Sequence, residues 1–221
     1  MHTRFGARAF TLAAAFLLAG CGALSDYHSA RTLAPGEAEV GFEASAFGGA
    51  DADRVGEFLP GGAITSRHGI EDGFELGLRL GTMGAEVTGK WRLGAEDPDV
   101  MLATAPTVSG FILTGETWWA GLRVPLLIEL PFGEGHGVVF SPRVQVQGFH
   151  TEGFLGGGGG GVVFNGGAGV ALSLLLGPVV LVPEVSAGYP FYAVNVDGET
   201  ADESAPLILQ GGVGLRWRFG G

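Results

Sequence analysis

From Glu37 onward, apolar and polar residues alternate with period two, the signature of strands with two different faces. Glu39 to Phe47 sets Val40, Phe42, Ala44 and Ala46 against Glu39, Gly41, Glu43 and Ser45. Phe74 to Gly81 sets Leu76, Leu78 and Leu80 against Glu75, Gly77 and Arg79, and Ala85 to Leu93 sets Val87, Trp91 and Leu93 against Glu86, Thr88, Lys90 and Arg92. The last run is the clearest: Leu207, Leu209, Val213, Leu215, Trp217 and Phe219 oppose Gln210, Gly212, Gly214, Arg216 and Arg218. Weaker alternation covers 62–68, 100–109, 116–131, 137–149, 162–176 and 178–189, which brings the strands to ten. Residues 37–221 then allot about 19 residues to each strand and its connection, which suits membrane strands of about 9 to 11 residues plus loops, although eight or twelve strands also fit. The fold expected is all-β, an antiparallel up-and-down transmembrane barrel.

The connections 69–73, 94–99, 132–136 and 177–178 are short, whereas 48–61, 151–161 and 190–206 are long. With the N-terminus in the periplasm, the three longest all fall on the outside, as in bacterial outer-membrane barrels.

Alternation alone does not separate a lipid-facing barrel from a soluble one such as a lipocalin, since each has one apolar and one polar face. The chemistry of the polar face does. A face in water carries many long charged residues, whereas a narrow lumen favours Gly, Ser, Thr and Ala with a few paired charges. Here the polar positions are largely small, with Asn165 and glutamines and a charged set expected inside: Glu39, Glu43, Glu75, Glu86 and Glu184 with Arg79, Lys90, Arg92, Arg123, Arg143, Arg216 and Arg218. Confined opposite charges should pair and fill the bore, because a lone buried charge is very costly. A salt-bridged filling is therefore expected ahead of a narrow selective channel. The aromatics Trp91, Trp118, Trp119, Phe132, Phe149, Tyr189, Phe191, Tyr192 and Trp217 cluster near strand ends, where a membrane interface would hold them. A soluble ligand-binding barrel would instead turn Leu76, Leu78, Leu215 and Trp217 inward. Prolines 106, 125, 142 and 183 interrupt apolar runs. Pro125 and Pro142 lie in a long hairpin, 116–149, and are expected below the membrane.

Composition agrees with this picture. Glycine supplies 42 of 221 residues, and each glycine inside a helix costs roughly 1 kcal/mol relative to alanine, so a helical fold is excluded. Only 16% of residues are charged, too few for an ordinary soluble surface. A formal charge of −11 argues against nucleic-acid binding, which needs a basic face.

Before the first strand, Met1 to Arg8 carries Arg4 and Arg8 and no acid, and an apolar run of eleven residues follows from Ala9 to Ala19. That is a signal-peptide layout, and the run is too short to span a bilayer as a helix. Leu18, Ala19, Gly20 and Cys21 resemble the lipobox of bacterial lipoproteins, which implies cleavage before Cys21 and diacylglycerol attachment to its thiol. Cys21 is the only cysteine. Gly22 in place of Asp implies, by the same resemblance, onward transport to the outer membrane. Loss of residues 1–20 leaves ten basic and 23 acidic residues, a mature charge of −13. Residues 21–36 show no sustained period and read as a lipidated tether ahead of the barrel, 37–221. At the other end, Gly214, Trp217 and Phe219 resemble the C-terminal assembly signal of bacterial outer-membrane proteins; Gly212 stands where that pattern has a polar residue, and Gly220 and Gly221 follow the final aromatic.

The partners implied are outer-membrane lipid and the lipoprotein-processing and barrel-assembly machineries; no cofactor is implied. Asp51, Asp53, His150 and Glu152 bear a partial resemblance to the rim of the omptin surface proteases, but Gly148 stands where that family has an acid, so solvated loop residues are the better reading. Gly156 to Gly161 is followed by no Lys-Ser/Thr pair and supports no phosphate loop. Asn195, Asp197, Glu199, Asp202 and Glu203 fail the EF-hand spacing, and His28, His68 and His136 show no metal-ligand spacing. The expectation is a lipid-anchored, non-catalytic outer-membrane barrel of structural, adhesive or narrow-channel, porin-like type.

Overall fold

The computed structural model describes residues 26–50, 58–82, 84–94, 99–114, 117–151, 159–195 and 207–220. The chain forms β1 (Ala38–Ala50), β2 (Leu59–Glu71), β3 (Phe74–Gly81), β4 (Gly84–Arg92), β5 (Met101–Thr104), β6 (Thr107–Thr114), β7 (Thr117–Phe132), β8 (His136–Thr151), β9 (Gly159–Leu176), β10 (Val179–Asn195) and β11 (Leu207–Phe219). Each strand pairs antiparallel with its neighbour, and the β1–β11 and β3–β4 ladders close the ring. Strands β5 and β6 are two parts of one barrel stave, since both pair with β4 on one side and β7 on the other. Ten staves result, as the alternation predicts. The β3 run coincides with the predicted Phe74 to Gly81, and β11 with the predicted last strand.

Period two explains the cross-section. In β1, Glu39 and Glu43 are buried while Val40 and Phe42 are exposed, and in β4 Glu86, Thr88 and Lys90 are buried while Val87 and Trp91 are exposed. The outer wall is dominated by apolar side chains, with Phe42 55%, Val108 62%, Val185 66% and Ile112 74% exposed. Leu76, Leu78 and Trp217 are exposed on that wall, so the soluble ligand-cavity alternative, which needs them inside, is overturned.

The turns at 72–73, 133–135 and 177–178 share one end of the barrel with the start of β1 and the end of β11. Gly73, Gly133, Gly135 and Gly177 take positive φ there, which only a residue without Cβ adopts at little cost. The long connections 51–58, 152–158 and 196–206 leave from the opposite end.

The prolines need a correction. Pro125 and Pro142 lie mid-strand rather than below the apolar wall, flanked by the exposed Val124, Leu126, Phe140 and Val144. Each proline falls where a ladder is broken on one side. The β7–β8 pairing skips from Pro125–Arg143 to Ile128–Phe140, past Pro142, and the β9–β10 pairing skips from Leu181–Leu174 to Glu184–Ala171, past Pro183. Pro106 marks the break between β5 and β6. A missing N–H is thus lodged where no partner is required of it. Pro106 keeps its acceptor in use, taking the Gly89 N–H at 3.1 Å.

Candidate functional site: the filled lumen

The tether expected before β1 is a free linker nowhere in its described part. Residues 26–33 run inside the barrel, with Asp26, Tyr27, His28, Ala30 and Leu33 all buried and Tyr27 0% exposed, and residues 34–36 emerge exposed at its end. The segment passes from the short-turn end, where Gly36 N–H donates to Gly69 O at 3.0 Å and Gly69 N–H donates to Glu37 O at 2.9 Å, up to Asp26 in the middle of the bore. A side chain at Gly69 would overlap the Ala34 carbonyl, so glycine is required where the segment crosses β2.

One side of the lumen greets this plug with apolar groups. Ala103, Ala105, Leu127, Val139, Ala171, Val180 and Val182, from β5 and β7–β10 and the link before β6, form one buried cluster with Tyr27 and Ala30. The other side, and the level around Asp26, is ionic. Arg79 bridges Glu43 (2.6 Å) and Glu86 (2.9 Å); Arg123 joins Glu86 (3.2 Å) to Asp26 (2.9 Å); Arg143 joins Asp26 (2.8 Å) to Glu184 (3.6 Å). Nearer the short-turn end, Arg218 pairs with Glu39 (2.8 Å) and Lys90 with Glu75 (2.9 Å), while Arg67 lies between Glu39 and Glu75 and Arg216 between Glu39 and Glu43. Charges from β1–β4, β7, β8, β10, β11 and the plug thereby form an almost continuous network, which meets the demand that buried charges be paired.

The wall grips the plug mainly by its backbone. Glu184 accepts the N–H groups of Asp26 (3.1 Å) and Tyr27 (2.6 Å), Glu129 accepts that of Ala30 (2.8 Å), and Glu75 accepts that of Leu33 (2.9 Å). Arg67 donates to the Tyr27 carbonyl (3.1 Å), and Lys90 donates to the Ser29 and Arg31 carbonyls. Side-chain recognition includes Asp26 between its two arginines, Arg31 on Glu129 (2.9 Å) and on the His136 carbonyl (2.9 Å), and the Tyr27 ring against Gly212 and Gly214. A Cβ at Gly212 would overlap both the Tyr27 hydroxyl and the Ala44 carbonyl. Glycine on the polar face of β11 therefore makes room for an aromatic plug residue.

Of the charges expected inside, Glu39, Glu43, Glu75, Glu86, Lys90, Arg123, Arg143, Glu184 and Arg216 are buried there, and Arg79 is nearly so. Arg92 and Arg218 sit at the short-turn rim; Arg92 pairs with the exposed Asp72 at 2.8 Å. Arg67 and Glu129 complete the set: Glu129 shares the parity of Arg123 on β7, whereas Arg67 lies on β2, where the alternation alone assigns no inward charge. Asp26 and Arg31 carry no periodic signal. Gly214 faces the plug, while Trp217 and Phe219 face outward. Leu18, Ala19, Gly20 and Cys21 lie outside the described residues, as do Asp51, Asp53, Glu152 and most of the acidic 195–203 stretch. His150 pairs with Trp118 on the outer wall and stacks on its ring at 6.4 Å, away from the bore. Among the described residues no group of His, Cys, Asp and Glu could hold a metal ion.

No protein-family model and no curated protein matches the chain. Solved structures resemble its fold at low identity. Neisserial surface protein A is 10% identical with a TM-score of 0.41, over 83% of this chain and 99% of that one. The translocator domain of autotransporter NalP from Neisseria meningitidis is 11% identical with a TM-score of 0.41, over 85% and 90%. A major outer membrane protein from Thermus thermophilus is 16% identical with a TM-score of 0.34, over 82% and 99%.

Proposed function

We propose that this chain is a bacterial outer-membrane β-barrel, lipid-anchored through Cys21, with a structural or adhesive role, no catalysis, and a bore closed at rest by its own residues 26–33. The observation that carries the reading is the inversion of the wall: buried carboxylates, guanidinium groups and an ammonium inside, and exposed Phe, Leu, Val, Ile and Trp outside. Water outside would leave that apolar wall solvated at roughly 25 cal/mol for each Å², whereas hydrocarbon meets it at no such cost. Among the described residues the ten closed staves leave no sheet edge unpaired, as a bilayer demands of a spanning sheet. The signal-peptide layout and the lipobox-like Leu18–Cys21 support the anchor, and the aromatic C-terminal strand supports assembly in the outer membrane. A permanently open narrow channel is the weaker reading, because the plug and its ion pairs occupy the bore.

Flotation tests the membrane reading. The mature chain with Cys21→Ser, refolded with phosphatidylcholine vesicles, should float with them after carbonate washing and migrate faster unboiled than boiled. Recovery in the aqueous fraction with a single gel position would refute it. Incorporation of labelled palmitate by the native chain, abolished by Cys21→Ser, tests the anchor.

A further inference from the structure

We propose that the lumen is a peptide-binding site and that residues 26–34 are its tethered ligand, whose departure converts the closed barrel into an aqueous pore. The proposal rests on the membrane reading above and goes beyond it.

Three observations carry it. First, the wall holds its own charges without the plug. Arg79 keeps Glu43 and Glu86, Arg123 keeps Glu86, Arg143 keeps Glu184, Lys90 keeps Glu75, and Arg216 keeps Glu39 and Glu43. Among the described wall residues, only Glu129 depends on the plug for its ion pair, with Arg31. A structural core segment normally leaves many partners stranded when withdrawn; this one leaves the ionic side of the bore paired and open to water, opposite the apolar cluster, with Glu129 losing its ion pair.

Second, the seat reads main-chain groups. Carboxylates of β3, β7 and β10 take N–H groups, and cations of β2 and β4 take carbonyls. Such a seat accepts many sequences and selects at two places, a carboxylate between Arg123 and Arg143 and an aromatic ring over Gly212 and Gly214. Its ligand class is a peptide with an acidic residue followed by an aromatic one.

Third, the backbone is strained at the selective position. Tyr27 is the one non-glycine residue with positive φ among the described residues, at 47°. Glu184 on its N–H and Arg67 on its carbonyl hold it there. A conformation of this kind persists only while its surroundings enforce it, and withdrawal relieves it.

The test is conductance in planar bilayers, in the Cys21→Ser background. The parent should be nearly silent. Asp26→Asn with Tyr27→Ala removes both selective contacts and strands no wall charge; its open probability should rise about tenfold or more, the population change that loss of one charge-assisted hydrogen bond brings. A synthetic peptide of residues 26–34, Asp-Tyr-His-Ser-Ala-Arg-Thr-Leu-Ala, should close the variant again, and the same peptide beginning Asn-Ala should not. As a lock, Tyr27→Cys with Gly214→Cys places two Cβ atoms 3.3 Å apart, close to disulfide range, so the oxidised form should stay shut and the reduced form open. A variant that floats with vesicles and stays silent overturns the proposal, as does one that opens and ignores millimolar peptide, or an oxidised lock that conducts like the reduced form. Failure of the parent to float removes the membrane reading, and this proposal with it.

Discussion

Replacing Glu184 by Gln tests whether the N-terminal segment is held as described. The carboxylate accepts the Tyr27 N–H at 2.6 Å, the Asp26 N–H at 3.1 Å and the Ser186 hydroxyl at 2.6 Å, and it faces Arg143 at 3.6 Å. Glutamine keeps one acceptor oxygen and turns an NH2 toward the remaining groups. Two charge-assisted backbone bonds become neutral ones, a loss of about 1 kcal/mol each, and Arg143 loses one of its two carboxylates for roughly 1 kcal/mol more, so about 3 kcal/mol in all. The larger penalty of a stranded charge does not apply, because Asp26 still faces Arg143 at 2.8 Å. Urea unfolding in vesicles, followed by tryptophan fluorescence, measures the loss. In a chain lacking residues 22–34 the two backbone donors and Asp26 are gone, so Arg143 loses its remaining carboxylate, but in a bore open to water, where such a pair is worth about 1 kcal/mol or less; the substitution should cost about that much there, and the difference is the coupling energy of a double-mutant cycle. Equal costs in the two backgrounds would refute the seat, since Glu184 would then act on the wall alone.

Further substitutions probe other parts of the structure. Arg79→Met removes the cation shared by Glu43 and Glu86, which keep Arg216 and Arg123, and should lower stability by about 2 kcal/mol in the same assay, roughly 1 kcal/mol for each lost charge-assisted bond. Leu78→Arg puts a cation on the lipid-facing wall and should cost about 2–4 kcal/mol in vesicles, and Ser66→Arg, directly across the ladder at the same depth, should cost about as much. His28, on the plug and outside the spanning strands, is held well below the ordinary histidine range, first by burial and then by Arg67, Lys90, Arg216 and Arg123 from four different strands. The released plug therefore binds the proton more readily than the seated one, so seating is full above the ordinary histidine range and weakens as pH falls below it. Protease cleavage between residues 26 and 34 should be faster at acid than at neutral pH, and His28→Gln should flatten that difference.

The wall was legible in the chain because period two reports it directly. Glu75, Gly77 and Arg79 against Leu76, Leu78 and Leu80 reveal a two-faced strand, and the small residues of the polar face reveal which side is confined. The prolines misled because a strand that shares its hydrogen bonds unevenly between two neighbours tolerates a missing N–H, a property of the ladder and not of the local sequence. The plug was illegible for a different reason. Residues 26–36 have neither helical nor strand period, since they owe their conformation to Glu184, Glu129, Glu75, Arg67 and Lys90, whose contacts with the plug span 40 to 158 positions of chain. What the sequence does hold is part of the complement: glycines at 212 and 214, where an aromatic residue comes to rest.

Spin-label accessibility at position 78 tests the account most directly. With Cys21→Ser, Leu78→Cys carrying a nitroxide and the protein refolded in phosphatidylcholine vesicles, relaxation should be enhanced by lipid-soluble oxygen and little affected by a water-soluble nickel chelate. A label at 78 that responds to the nickel chelate as a free surface site does would place that wall in water and contradict the inverted barrel.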